Sequence, residues 1–352
     1  MKTSGIKILL GGIVSIVVAF VFGQDKIAQY IPAVQSKSST CLGEFYQQQP
    51  PYLNRESLQK HTYPLCFDGF NVMYSGVSKT PLWVAEHLYP ARLSQKIKRE
   101  DSFHEELKVS SQHRALLSDY RGSGYDRGHM APNGDMSTKS SQADSFSLAN
   151  MVPQAPKNNQ QVWRELEEAT RAIVTKQKQD VYVVTGPVFA SKKLKTIGKG
   201  VLVPTAVYKA IYIPNNKSGS HKGAIGVYYA PNNNSLQVQV ISVCKLEELT
   251  GINIFSTLSE DVKRNVYQLP LNARQVKVNQ SIDYAFWDGE SQCAQPVASD
   301  DLQALQRKFQ PKGSGTNSSS ATTKSSSGQQ SSEQPPEVIQ SLLRYLLKYL
   351  AG

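Results

Sequence analysis

Apolar residues recur through the middle of the chain in short runs rich in Val, Ile and Tyr, separated by polar turn clusters. Five runs read as strands: Phe70 to Tyr74, Asp180 to Thr185, Ala206 to Ile213, Gly223 to Tyr229 and Leu236 to Val243. β-Branched and aromatic residues suit a pleated, half-buried surface. Clusters such as Pro214-Asn215-Asn216 and Pro231-Asn232-Asn233-Asn234 interrupt them where a chain can reverse. A different period begins after Pro153 and Pro156, which forbid regular helix before about Lys157. Val162, Leu166 and Ala169 then fall at helical spacing, with Trp163 and Thr170 beside them, which predicts a helix over Trp163 to Gln177. Lys245 to Thr250 and Glu260 to Asn265 predict shorter helices. Together these elements predict one α+β domain with a mostly antiparallel sheet over 40–312, long enough for a single core. No internal repeat interrupts it.

Both ends depart from this pattern. Lys2 and Lys7 precede an apolar stretch from Ile8 to Phe22, broken only by Gly11, Gly12 and Ser15. At about 15 residues it is short for a full membrane span. Residues 1–23 are expected to be a signal peptide cleaved before Gln24, with a signal anchor as the alternative. Residues 24–39 are a linker. Gly313 to Ser332 is almost entirely Ser, Gly, Thr, Gln and Asn, a composition that buries no core, so 313–336 reads as a flexible linker. Residues 337–352 predict an amphipathic helix, with Gln340, Arg344 and Lys348 on one strip and a broad Leu and Tyr face opposite. Such a face wants a partner: the domain itself, a second copy or a membrane surface.

Charge adds a substrate class. Lys and Arg number 39 against 28 Asp and Glu, a formal net charge of +11. A basic surface attracts polyanions and speeds their encounter. No zinc-finger spacing, P-loop or dinucleotide fingerprint is present, and no dense basic run carries interleaved aromatics, so contact with the nucleic-acid backbone fits better than base readout. The chemistry concentrates in Tyr125-Asp126-Arg127-Gly128-His129-Met130-Ala131-Pro132. An imidazole beside a guanidinium supplies a base for water and a fork of donors for a phosphate. Downstream, Ala149-Asn150-Met151-Val152-Pro153-Gln154 leads to Asn159 near the predicted helix start, where an Asn can also cap. Glu167 lies two turns on along a similar face. An amide oxygen and a nearby carboxylate suit a hard cation that keeps most of its waters.

Asp126-Arg127-Gly128-His129 with Asn150, Asn159 and Glu167 resembles the DNA/RNA non-specific endonucleases, a family that includes secreted bacterial sugar-non-specific nucleases and mitochondrial endonuclease G. The likeness extends to Lys79 to Glu86, Val184 to Phe189, Val203-Pro204-Thr205 and Glu248 to Gly251, and spans roughly Phe67 to Trp287. It implies a ββα-metal (His-Me finger) core, with His129 on the hairpin and Asn159 on the helix. It implies Mg²⁺, with Mn²⁺ as a substitute, and cleavage of DNA and RNA to 5′-phosphate and 3′-hydroxyl ends. By the same resemblance His129 is the general base, Asn159 the direct metal ligand and Arg127 the phosphate-contacting arginine. Glu167 holds metal-bound waters and Asn150 supports the site. Arg99 is the expected upstream arginine, with Lys96, Lys98, Arg114 and Arg121 as rivals. Homodimers are common among relatives.

Other titratable groups read more plainly. His61, His87, His104, His113 and His221 are expected to be structural or solvated, Asp126 to orient its loop and Asp135 to be structural. Cys41, Cys66, Cys244 and Cys293 form no C-x-x-C pair, which argues against zinc or redox chemistry. Of three connectivities, Cys41–Cys66 and Cys244–Cys293 are expected, each flanking one end of the domain; the second also resembles a bridge of secreted family members. Disulfides fit export to the periplasm or beyond the cell. A non-catalytic nucleic-acid-binding envelope protein that keeps this fold is the alternative, but it has no need of His129, Asn159 and Glu167 together. A small-molecule phosphatase matches the basic balance less well.

Overall fold

The computed structural model describes residues 41–217 and 223–310. The N-terminal apolar segment, residues 24–39, His221, the 313–336 linker and the 337–352 helix lie outside the described residues.

The framework consists of β1 (Thr62–Phe67), β2 (Phe70–Ser75), β3 (Thr80–Leu88), β4 (Asp126–His129), α1 (Lys139–Ser145), β5 (Met151–Gln154), α2 (Arg164–Gln177), β6 (Val181–Val188), β7 (Ala206–Ile213), β8 (Ala224–Pro231), β9 (Gln239–Ile241), α3 (Val243–Thr250) and α4 (Ser299–Lys308). Seven strands form one sheet in the order β9-β8-β7-β6-β3-β2-β1, and each neighbouring pair is antiparallel. Every residue of β2 and of β7 is buried, so the centre of the sheet is covered on both faces. This is the expected α+β architecture.

The two faces serve different ends. On one, Tyr46 packs edge-on against Tyr182 and Tyr212, and Phe309, just after α4, packs with Trp83 and Phe45. On the other, Lys209 of β7 points at Trp163, which precedes α2; residues three apart on a strand face opposite ways, so Lys209 and Tyr212 mark the two sides. The α2 face carries the site.

Several boundaries differ from the sequence reading. The run Leu236 to Val243 is a strand only over Gln239–Ile241. Ser242 ends it because its Oγ accepts from the Lys245 amide and caps a helix that starts at Val243 rather than Lys245. The helix predicted over Glu260 to Asn265 stops at Arg264, and Asn265 opens a strand, Asn265–Tyr267. β1 and β3 carried no strand prediction; in β3 the polar Glu86 and His87 break the apolar run. Glu86 is buried there and lies 3.5 Å from the buried Arg92 guanidinium. Cys41–Cys66 and Cys244–Cys293 are both paired as expected.

Candidate active site

β4 and β5 form a two-stranded antiparallel hairpin with His129 opposite Met151 and Asp126 opposite Gln154. Gly128 is required by a close approach: a Cβ at this position would sit 1.9 Å from Gln154 Oε1. The chain leaving His129 is held by Asn150. Its Oδ1 accepts from Ala131 N at 2.9 Å, and its Nδ2 donates to Ala131 O and Ser145 O, each at 2.8 Å. Asn150 is fully buried and does not line the cleft, so it positions the segment that follows His129.

Between β5 and α2 the chain makes a widened π-helical turn, Asn158–Trp163. Such turns recur at functional sites because they re-aim side chains. Asn232, in the turn after β8, ties the preceding loop down: Nδ2 donates to Pro153 O and Pro204 O, and Oδ1 accepts from Ala155 N. Asn158 bridges Gln154 and Pro231 O. Trp163 closes the turn by donating from Nε1 to His129 O at 3.3 Å. Asn159 therefore stands in the π-helical first turns of a helix that continues without a break into α2, near the helix start as expected, and its side chain makes no cap hydrogen bond. Its Nδ2 donates to Asp126 Oδ2 at 2.9 Å, and Gln160 donates to the same oxygen at 2.8 Å. This fixes the amide so that Oδ1 is the atom left for a ligand.

These segments enclose a cleft of about 820 Å³ lined by Arg99, Arg127, His129, Asn159 and Glu167 together. Asp126, Arg121 and Arg164 also line it, so four arginines face two carboxylates. Of the upstream cations, Arg99 and Arg121 both line the cleft, whereas Lys96, Lys98 and Arg114 are not part of the lining. Aromatic rings brace the cations beside the imidazole. Arg127 lies over Phe103 at 4.0 Å and Arg99 over Phe146 at 5.4 Å, and both rings also pack against His129.

His129 Nε2 is buried and makes no hydrogen bond among the described residues. Burial, aided by Arg99 and Arg127, lowers the pKa of His129 to about 3, so it is neutral and can accept a proton. Burial pushes Glu167 the other way, up to about 7, against the pull of Arg171 and Lys209. Sequence reasoning missed Arg171, although it stands one turn after Glu167; it pairs with the buried Asp135 at 2.8 Å. Asp135 is thus structural, as expected.

Asn159 Oδ1, with the Glu167 carboxylate lining the same cleft, is an all-oxygen donor set that fits a hard divalent cation keeping most of its waters. Among the described residues, the one group of His, Cys, Asp or Glu at metal-ligand spacing is Cys244, Glu247 and Cys293. Its two sulfurs are joined in the disulfide, and Glu247 pairs with the buried Lys263 at 3.0 Å.

The chain is similar to known proteins. The family described as DNA/RNA non-specific endonuclease matches residues 51–261, about three-fifths of the chain. The mitochondrial nuclease EXOG of Danio rerio is 36% identical over 204 residues, 53% of this chain and 59% of that protein. Mitochondrial endonuclease G of Homo sapiens is 37% identical over 166 residues, 44% of this chain and 53% of that protein. This chain therefore spans between half and three-fifths of the length of these two relatives. A nuclease of Nostoc sp. is 29% identical over 265 residues, covering 72% of this chain and 95% of that protein. Among solved structures, a chain from the crystal structure of the EndoG/EndoGI complex superposes with a TM-score of 0.51 at 26% identity, covering 59% of this chain and 94% of that chain. The matched segment contains the β4–β5 hairpin, the π-turn and α2, with His129, Asn159 and Glu167 on them, and the chain belongs to the DNA/RNA non-specific endonuclease family.

Proposed function

We propose that this protein is an exported, Mg²⁺-dependent endonuclease that hydrolyses DNA and RNA with little sequence specificity. The observation that carries this reading is His129 Nε2, buried without a hydrogen-bond partner among the described residues in an arginine-lined cleft, with the Asn159 amide oriented by Asp126. Family membership, the basic balance and the two disulfides agree with it.

In this reading Arg127 and Arg99 bind non-bridging phosphate oxygens, whose charge grows in the transition state. His129 takes a proton on Nε2 from the attacking water. The new P–O bond forms as the bond to the 3′ oxygen breaks, and protonation of that oxygen leaves a 3′-hydroxyl and a 5′-phosphate. Asn159 would hold the cation directly and Glu167 through its water shell. When bound, the cation stabilises the leaving alkoxide. No side-chain nucleophile takes part, so no covalent intermediate forms. In this reading the four cleft arginines would contact phosphates rather than base edges, which would account for low sequence specificity.

Purified protein from Gln24 onward, incubated with supercoiled plasmid and with RNA, tests the reading. The expected result is degradation of both in Mg²⁺, its loss in EDTA, and 5′-phosphate ends. Binding without cleavage across several divalent metals, with both disulfides formed, would instead favour a binding protein that keeps the nuclease fold.

A further inference from the structure

Tyr120 closes a short helix, Leu117–Tyr120, that forms one wall of the cleft together with Arg121 and Tyr125. Only 5% of the residue is exposed. Its ring belongs to a small apolar cluster with Ala115, Leu148, Met151, Ile197, Val201 and Val203. A phenylalanine would pack there equally well, so the core does not call for the hydroxyl. That hydroxyl is nevertheless buried, and it has no hydrogen-bond partner among the described residues. Burying a polar group without a partner costs free energy.

The wall that carries it is built rigidly. Asp119 accepts from Leu116 N and from Lys199 N, each at 2.8 Å, which ties the helix start to the 196–202 hairpin. Ser123 Oγ donates to Tyr120 O at 2.8 Å and closes the helix end. The residue is thus placed in advance in the wall of the cleft that Arg127 also lines. Its pKa is raised by burial, against the influence of Arg127, so it remains an O–H donor at neutral pH.

We infer that Tyr120 is a substrate-binding residue whose hydroxyl donates a hydrogen bond to a phosphate oxygen of the bound strand, alongside Arg127. The inference rests on the nuclease reading above. A neutral donor at this point adds a directional contact to the arginine charge without adding charge of its own. Its contribution to affinity should therefore not depend on ionic strength, unlike that of Arg121 on the same wall.

Tyr120→Phe in the His129→Ala background isolates binding from turnover. The probe is a fluorescently labelled single-stranded DNA oligonucleotide in Mg²⁺, followed by anisotropy across a salt series. The expected result is a Kd weaker by about 5- to 10-fold. The slope of log Kd against log salt should be unchanged and the urea midpoint the same or higher. Arg121→Ala, by contrast, should reduce the slope by roughly 0.7. In the otherwise native chain, Tyr120→Phe should lower kcat/KM to a similar degree.

A Tyr120→Phe Kd within twofold of its parent overturns the inference while leaving the nuclease reading intact. Weaker binding accompanied by a lower urea midpoint also overturns it, because the hydroxyl would then be structural. A His129→Ala parent that binds no oligonucleotide, with a native chain that cleaves none, overturns the nuclease reading and the inference with it.

Discussion

Burial shifts His129 and Glu167 in opposite directions, and pH reads out the difference. The His129 pKa is lowered to about 3 from an ordinary value of 6.5. The unfolded chain therefore binds more protons below pH 6.5, and this group makes the fold progressively less stable as pH falls from about 6.5 towards 3. His129→Asn should flatten that part of a urea-midpoint series. Because the imidazole stays neutral through this range, it does not set the acid limb of activity. Glu167, raised to about 7, is the group that is half ionised near neutrality. At limiting Mg²⁺, kcat/KM should rise with pH through about 7 and level off above it, and Glu167→Gln should lower activity and remove the limb. An acid limb that persists in Glu167→Gln would contradict the assignment. Asp126 acts one step away, through the Asn159 amide. Asp126→Ala should weaken apparent Mg²⁺ affinity by about 10- to 100-fold, as loss of a partner that orients a ligand does, with little change in melting temperature. That His129, Arg127, Asn159 and Glu167 meet in one cleft was legible from the motif and its family resemblance. Tyr120, Arg171 and Asn232 were not, because their roles depend on neighbours brought in from distant segments.

Elements were legible where one physical cue dominated. β7 was predicted residue for residue because Ala206 to Ile213 is an unbroken apolar run apart from Lys209. α2 followed from its 3.6-residue period. The π-turn ahead of it has no such cue; tertiary hydrogen bonds from Asn158 and Asn232 shape it. β3 was obscured because its buried Glu86 belongs to a charge cluster, with Arg92 and Lys209 both acting to lower the raised pKa of that carboxyl. Lys209 is only 1% exposed and lies under the Trp163 ring at 5.5 Å. Lys209→Met removes one side of this arrangement and should cost about 3–5 kcal/mol, as breaking a buried ion cluster does, read from urea unfolding. Adding Glu86→Gln should recover part of that loss. An unchanged midpoint in the single variant would show that the ammonium is not needed to balance the buried carboxylates.

For the molecule as a whole, the +11 charge and the arginine-lined cleft predict binding that weakens steeply with salt and little with base sequence. Removing the Cys244–Cys293 bridge by paired Ser substitution should cost about 2–4 kcal/mol of stability, measured by urea unfolding without reductant. The residues proposed for catalysis all precede Gly313, so deletion of Gly313 to Gly352 should leave turnover intact and change localisation or assembly; lost turnover in the purified deletion would contradict that. The central claim is that His129 activates water in a preorganised cleft. Single-turnover cleavage of an end-labelled duplex in Mg²⁺ at pH 7, compared between the native chain and His129→Ala, tests it most directly. The account predicts a rate lower by about 10²- to 10⁴-fold, with melting temperature and oligonucleotide Kd essentially unchanged. A folded His129→Ala protein that cleaves at the native rate would contradict it.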